Sequence, residues 1–255
     1  MANYYFLITS FPPLALGAKP ELSFKELDQL LLANLTERDL KKFNQLLLPI
    51  DLYNIRAFWL GMPLDDRGHI KAREIEEELL VQGALPPYVV AFLESYESTE
   101  ERLRNFSSLY VSMYRELLPH LSGFLLKYFQ FEREFRLVLT ALRAKAAGKD
   151  LVRELQFEDP SDPLVLELLA QRDASDVTPP QEYEELKTLF VKNKDNPEGL
   201  NQKMLEYQFE KVELMEEPQE FGIDRVLAYV ARFLFVEQLA LLDKKQGMEQ
   251  LSHYE

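Results

Sequence analysis

Residues 121–147, LSGFLLKYFQFEREFRLVLTALRAKAA, decide the fold class of this chain. Apolar residues recur there at steps of three or four, at positions 121, 125, 128, 131, 135, 138 and 142. This spacing lines them up on one face of a helix, and no period-two alternation competes with it. The stretch therefore predicts a long amphipathic helix in an all-α protein.

The same helical spacing returns elsewhere in the chain. Apolar residues follow it between Phe43 and Ala57 and again between Ile223 and Leu241. Capping pairs, in which a side chain accepts from a free backbone amide, predict helix starts at four residues: Ser23, Thr36, Ser98 and Asn196. Glycines favour helix ends, and three of them predict such ends: Gly61, Gly148 and Gly247.

Only two short stretches have the composition of strands. Tyr4–Thr9 and Tyr88–Phe92 are rich in aromatic and β-branched residues, which strands favour. Pro12 and Pro87 would keep both strands short. We therefore expect helix over more than half of the chain and no sheet of three or more strands.

Composition limits the class of function. The 255 residues are 47% hydrophobic and carry a net charge of −14, enough for a buried core and an acidic surface. Such a surface repels nucleic acid and the anionic inner leaflet of a membrane. The chain has no cysteine, which excludes disulfides and thiolate sites. Since no targeting signal or membrane-length apolar run is visible, we expect a soluble, cytoplasmic protein.

The domain organisation is predicted from one unusual segment. Residues 154–184 are acidic and rich in proline, which predicts a connector outside the core holding one short helix over about 163–171. It would separate N-terminal helical lobes, residues 1–153, from a C-terminal lobe, residues 185–255. The whole is expected to form one compact unit.

Motifs of catalysis are missing from the sequence. It contains no phosphate-binding glycine loop, no dinucleotide fingerprint and no zinc-ligand spacing. The histidines His69, His120 and His253 stand alone, and the acidic run Glu74–Glu78 is interpreted as a solvated helix face. We therefore predict no catalytic residue, no cofactor and no metal. An enzyme with a dispersed carboxylate site remains an open alternative.

Three segments share a polar residue on or beside an apolar helical stripe. The first has Asn54 with Arg56 two residues later, the second has Glu134 with Arg136, and the third has Glu237. In the first two, a glycine follows the polar residue after fourteen positions. A buried polar group without a partner costs about 1–3 kcal/mol, so each should have a dedicated partner. Two interpretations stay open: a local core contact that fixes helix register, or one unit used three times.

These segments resemble the C subunit of A-type and V-type ATPases, whose eukaryotic counterpart is the d subunit. The resemblance is carried by Asp51-x-x-Asn54-Ile55-Arg56 and by the glycine-containing turn at residues 81–85. It is also carried by the two long helical stretches at residues 132–150 and 225–247, and by the tyrosine-rich start at residues 4–7.

The resemblance implies a three-lobed, funnel-like helical bundle with pseudo-threefold repetition. Such a protein performs no chemistry and couples the central stalk to the membrane rotor ring, so it serves ion or proton transport. It lies on the cytoplasmic face, held at the membrane through its complex. The alternative from the residues themselves is an unrelated α-helical adaptor for other proteins.

Overall fold

The computed structural model describes residues 2–70, 75–81, 85–216 and 221–252. Every regular element in these ranges is a helix, so the prediction of an all-α protein is confirmed. Parts of three sequence features lie outside the described residues: the centre of the turn at 81–85, Glu74 of the acidic run, and His253.

Thirteen α-helices occur in the described ranges, together with the 3₁₀ turns Leu118–His120 and Gln181–Tyr183. The α-helices are α1 (Tyr5–Ser10), α2 (Phe24–Asn34), α3 (Glu37–Leu60), α4 (Ile75–Val81), α5 (Pro87–Ser95), α6 (Thr99–Arg104), α7 (Phe106–Leu117), α8 (Gly123–Ala146), α9 (Leu151–Glu154), α10 (Pro163–Leu169), α11 (Glu184–Asn193), α12 (Pro197–Met215) and α13 (Ile223–Ser252).

The four predicted helix starts are confirmed by their caps. Ser23 and Ser98 each form a capping box, with the glutamate three residues later bonding back to the backbone amide of the serine. The side chains of Thr36 and Asn196 each accept a hydrogen bond from the amide three residues ahead. Each cap satisfies an amide that the first helical turn leaves without a carbonyl partner.

Two of the three predicted helix ends are confirmed and one is wrong. Gly61 follows α3 with a left-handed backbone angle, φ 65°, and Gly148 follows α8 in the same region, φ 63°. Helix α13, in contrast, continues past Gly247 to Ser252. A glycine inside a helix costs only about 1 kcal/mol relative to alanine, so it does not by itself end one.

Both possible strands are helical. Tyr4–Thr9 falls largely within α1, and Tyr88–Phe92 falls within α5, which begins at Pro87. Proline suits this first helical position because its missing amide would have no partner there. The residue that argued for a short strand therefore starts a helix.

The buried side chains form two hydrophobic clusters. The first joins α1–α3, α5, α7, the beginning of α8, the end of α12, and α13. The second joins the rest of α8 with α9, α10, α11 and the beginning of α12. The division along α8 falls between Phe129 and Phe131, so α8 and α12 each belong to both clusters.

Residues 154–184 do not lie outside the core, contrary to the prediction. Leu155, Val165, Leu168 and Val177 are buried in the second cluster, and the predicted short helix is present as α10. The acidic residues between them obscured this pattern. The segment packs as part of the second cluster.

No helix in the described ranges is both long enough and apolar enough to span a membrane.

Candidate functional site

Asn54 lies fully buried in α3 and holds the loop that follows the helix. Its Nδ2 donates to the carbonyl of Asp65 at 2.8 Å, and its Oδ1 accepts from the amide of Asp65 at 2.7 Å. One side chain therefore satisfies both backbone groups of a residue eleven positions away.

Asp65 links Asn54 to a second predicted position, Glu237. The guanidinium of Arg67 bonds the Asp65 carboxylate at 2.6 Å and reaches the Glu237 carboxylate at 3.5 Å. Glu237 also accepts from the amide of Phe24 at 3.0 Å, at the first turn of α2. We call these contacts among Asn54, Asp65, Arg67 and Glu237 the loop network. It ties α3, α13 and α2 together.

The loop network places one guanidinium, that of Arg67, between two carboxylates, those of Asp65 and Glu237. Burial acts to lower the pKa of Arg67, but the Asp65 and Glu237 carboxylates outweigh it and the pKa is raised. Burial raises the pKa of Glu237, and Arg67 partly offsets this effect. The Arg67 guanidinium and the Glu237 carboxylate therefore stabilise each other's charged forms.

The second segment makes separate contacts in the second cluster. The hydroxyl of Tyr183 donates to Glu134 at 2.6 Å. Arg136 pairs with the buried Glu158, which Arg133 also approaches at 3.5 Å. Glu134 and Arg136 therefore fix residues 154–184 against α8.

The two arginines of the predicted segments share a type of contact. The Arg56 guanidinium lies 5.8 Å from the ring centre of Phe106, and that of Arg136 lies 5.7 Å from the ring of Tyr114. Both rings belong to α7. Such cation–π contacts are worth about 0.5–2 kcal/mol. Arg56 is otherwise exposed, whereas Arg136 is partly buried.

The five predicted positions thus do not converge on one site. Asn54 and Glu237 share the loop network, Glu134 and Arg136 serve the second cluster, and Arg56 contacts α7. Sequence reasoning missed Asp65 and Arg67, because both follow the end of α3 and neither lies on an apolar helical stripe. Nothing in the sequence pairs Arg67 with a residue 170 positions away.

A groove of about 320 Å³ runs along α3. One wall is the face of α3 from Lys41 to Ile55, and the other is formed by His69, Ile70 and four residues between Leu85 and Val89. We call it the α3 groove. His69 Nδ1 lies 2.8 Å from the carboxylate of Asp51 inside it, a pairing of residues 18 positions apart that no sequence motif indicated.

The described residues contain no group of three or more histidine, aspartate or glutamate side chains placed to hold a metal ion.

Among the exposed large apolar side chains, two groups of near neighbours in sequence stand out. The α1 patch consists of Tyr5 and Phe6, with Phe221 packed 4.9 Å from the ring of Tyr5; Phe6 is 86% exposed. The α3 tip consists of Phe58, Leu60 and Met62, and the last two are 47% and 48% exposed. Exposed clusters of this kind mark interaction sites more often than single exposed residues do.

The two patches lie at opposite ends of α3. Tyr4, next to the α1 patch, donates its hydroxyl to Asp39 at 2.6 Å, in the first turn of α3. Leu60 is the last residue of the same helix. At 1.5 Å per residue, the distance from Asp39 to Leu60 is about 30 Å. The patches are therefore too far apart for one small contact to cover both.

Comparison with known proteins gives the following similarities. A family profile described as "Protein of unknown function (DUF2764)" matches residues 1–253. A protein of Chlamydia muridarum (strain MoPn / Nigg), described as "Uncharacterized protein", is 33% identical, over 98% of this chain and 96% of the relative. A Chlamydia pneumoniae protein is 31% identical, over 100% of this chain and 98% of the relative. No solved structure matches.

These matches correct the family suggested by the sequence motifs. The resemblance to the C subunit of A-type and V-type ATPases is wrong as a family assignment, since a different family profile covers nearly the whole chain. The motifs behind it were short. A polar residue on an apolar helical stripe also arises wherever a helix must hold a loop, as Asn54 does with Asp65.

Proposed function

The chain belongs to the DUF2764 family of proteins of unknown function, and we propose that it is a non-catalytic adaptor that holds two protein partners at once. The observation that carries this proposal is the pair of exposed apolar patches at the two ends of α3. A partner that covered Phe6 or Leu60 would remove apolar surface from water, at about 25 cal/mol per Å².

The rigidity of the connection between the patches supports the same role. Helix α3 continues as one helix over 24 residues, through Pro49 in its interior, which cannot donate a backbone hydrogen bond. The loop network and the bond from Tyr4 to Asp39 fasten its two ends to other helices. A stiff element with a binding face at each end can transmit force or fix the spacing of two partners.

The partners that we propose are the central stalk and the membrane rotor ring of a V-type or A-type ATPase, which we call the rotor pair. A rotor adaptor needs two separate faces and no chemistry, which agrees with the patches. In this role the protein lies at the cytoplasmic side of the ring and is held at the membrane through its complex. A three-lobed, funnel-like arrangement with pseudo-threefold repetition belongs to this proposal.

Patch variants test the adaptor role directly. Phe6→Asp should abolish capture of one purified partner, stalk or ring, and Leu60→Asp should abolish capture of the other. Both side chains are substantially exposed, so neither change should unfold the protein. Val152→Asp is the matched control, because Val152 is exposed to 47% on α9 and lies in neither patch.

The outcomes separate the parts of the proposal. If both patch variants bind both partners as the unaltered protein does, the two-patch adaptor is refuted. If the unaltered protein captures neither ATPase partner at any salt concentration, the rotor pair is overturned.

A further inference from the structure

The α3 groove has the length of an extended peptide. Its α3 wall runs from Lys41 to Ile55, about 21 Å of helix at 1.5 Å per residue. An extended chain advances at most about 3.3–3.6 Å per residue, so the groove accommodates about six residues.

The floor of the groove is apolar. It is formed by the partly exposed Leu48 of α3, together with the buried side chains of Leu52, Ile55 and Val89. Side chains of an extended peptide alternate between its two faces. Every second side chain of such a segment could therefore rest on this floor.

One end of the groove is lined by hydrogen-bond donors that face solvent. Lys41, Asn44 and Gln45 line it, and none of them bonds or pairs with another described side chain. Their ammonium and amide groups can donate to a carboxylate.

Further along the groove, Asp51 and His69 are bonded to each other. Asp51 accepts from the amides of His69 and Ile70 at 2.7 and 3.2 Å and contacts His69 Nδ1 at 2.8 Å, so its oxygens are occupied. With Nδ1 engaged, His69 Nε2 is the ring nitrogen left to face a ligand.

Tyr88 also lines the groove and contains a buried polar atom. The residue is 7% exposed, and its buried hydroxyl has no hydrogen-bond partner among the described residues. Buried hydroxyl groups are normally bonded. Since the hydroxyl is sealed from solvent, a shift of the surrounding side chains would let a peptide carbonyl or amide in the groove supply the missing contact.

We propose that the α3 groove binds an extended segment of a partner protein, with an acidic side chain at Lys41 and main-chain groups at Tyr88 and His69. This inference rests on the proposed adaptor function and gives it a third, sequence-selective contact. Charge complementarity favours an acidic segment. Within the part of the chain that the structure describes, Lys41 has no acidic partner. The carboxylate of Asp51 is already bonded to His69 and Ile70.

Selection from a displayed library of random peptides tests the groove. The full chain should enrich peptides in which an acidic residue flanks alternating apolar residues. Lys41→Glu should instead enrich lysine or arginine at the same place. Lys192→Glu, an exposed site on α11 in the other cluster, changes the net charge equally and should leave the selected sequences unchanged. Sequences unaltered by Lys41→Glu would overturn the proposal.

A second variant guards against a folding defect. Tyr88→Phe keeps the ring and removes only the unpartnered hydroxyl, so it should not lower the free energy of unfolding. It should weaken a selected peptide several-fold, and Lys41→Gln should weaken it about tenfold. Unchanged affinity in both variants would refute the assignment.

The peptide selection uses no component of the ATPase. It therefore tests the groove independently of the adaptor role. Peptide enrichment together with failed stalk and ring capture overturns the rotor pair alone. Successful, patch-dependent capture without peptide enrichment overturns the groove alone.

Discussion

Replacing Asn54 by leucine should lower the free energy of unfolding by about 2–3 kcal/mol. The change removes both hydrogen bonds to Asp65; its amide loses the Asn54 acceptor, while its carbonyl keeps the amide of Gly68 at 3.3 Å. Each such loss costs about 1–3 kcal/mol in a buried setting. Asp65 is only partly buried, so water can recover some of this cost, and the leucine adds apolar burial that offsets part of the rest.

Urea unfolding followed by far-ultraviolet circular dichroism measures this effect. Asn44→Leu is the matched control, since Asn44 lies on the same helix, is exposed and forms no side-chain bond with another described residue. Its effect should stay within about 0.5 kcal/mol. If Asn54→Leu costs no more than Asn44→Leu, then Asn54 does not hold the loop and the structural reasoning fails.

Three further predictions concern packing, pH and salt. Gly68→Ala should cost about 1–3 kcal/mol in urea unfolding, because its new carbon would lie 2.7 Å from side-chain atoms of both Asn54 and Asp51. Burial raises the pKa of Glu132 to about 7, although a hydrogen bond from Gln208 opposes this effect. The folded state therefore keeps a proton that the unfolded state loses near pH 4.5, and stability falls as pH rises from there to about 7. Glu132→Gln should thus gain up to about 3 kcal/mol on the unaltered protein between about pH 5 and pH 8 in pH-dependent urea unfolding. Finally, capture of one partner in pull-downs should weaken between about 0.1 M and 1 M salt, as the Debye length falls from about 10 to 3 Å.

Each of these three predictions would be contradicted by a specific result. An alanine tolerated at position 68 would mean that the loop can move away from α3. If the difference in stability between Glu132→Gln and the unaltered protein stays constant across the pH range, burial does not raise the pKa of Glu132. Salt-independent capture of both partners would mean that the acidic surface only keeps the protein soluble.

Local signals predicted the helices well because helix caps act over three or four residues. Ser23 and Ser98 could be identified from their own glutamates, and α8 from its stripe alone. The end at Gly247 failed for the complementary reason: a glycine ends a helix only when the chain beyond it turns away. Local sequence did not contain that information.

Long-range contacts explain what the sequence could not predict. Residues 154–184 have a composition typical of solvent-exposed segments, yet Glu158 is buried because Arg133 and Arg136 of α8 pair with it. The polar positions Asn54 and Glu237 could be identified as needing partners, but not that Arg67 would connect them through Asp65. Charge partners far apart in sequence have no periodicity to reveal them.

The most direct test of the adaptor role is whether one molecule holds both partners simultaneously. Native mass spectrometry of the purified protein mixed with central-stalk and ring components should show a complex containing all three. Phe6→Asp and Leu60→Asp should each reduce this to a different two-part complex. Partners that displace each other from the protein, or a complex that ignores both substitutions, would contradict the adaptor role.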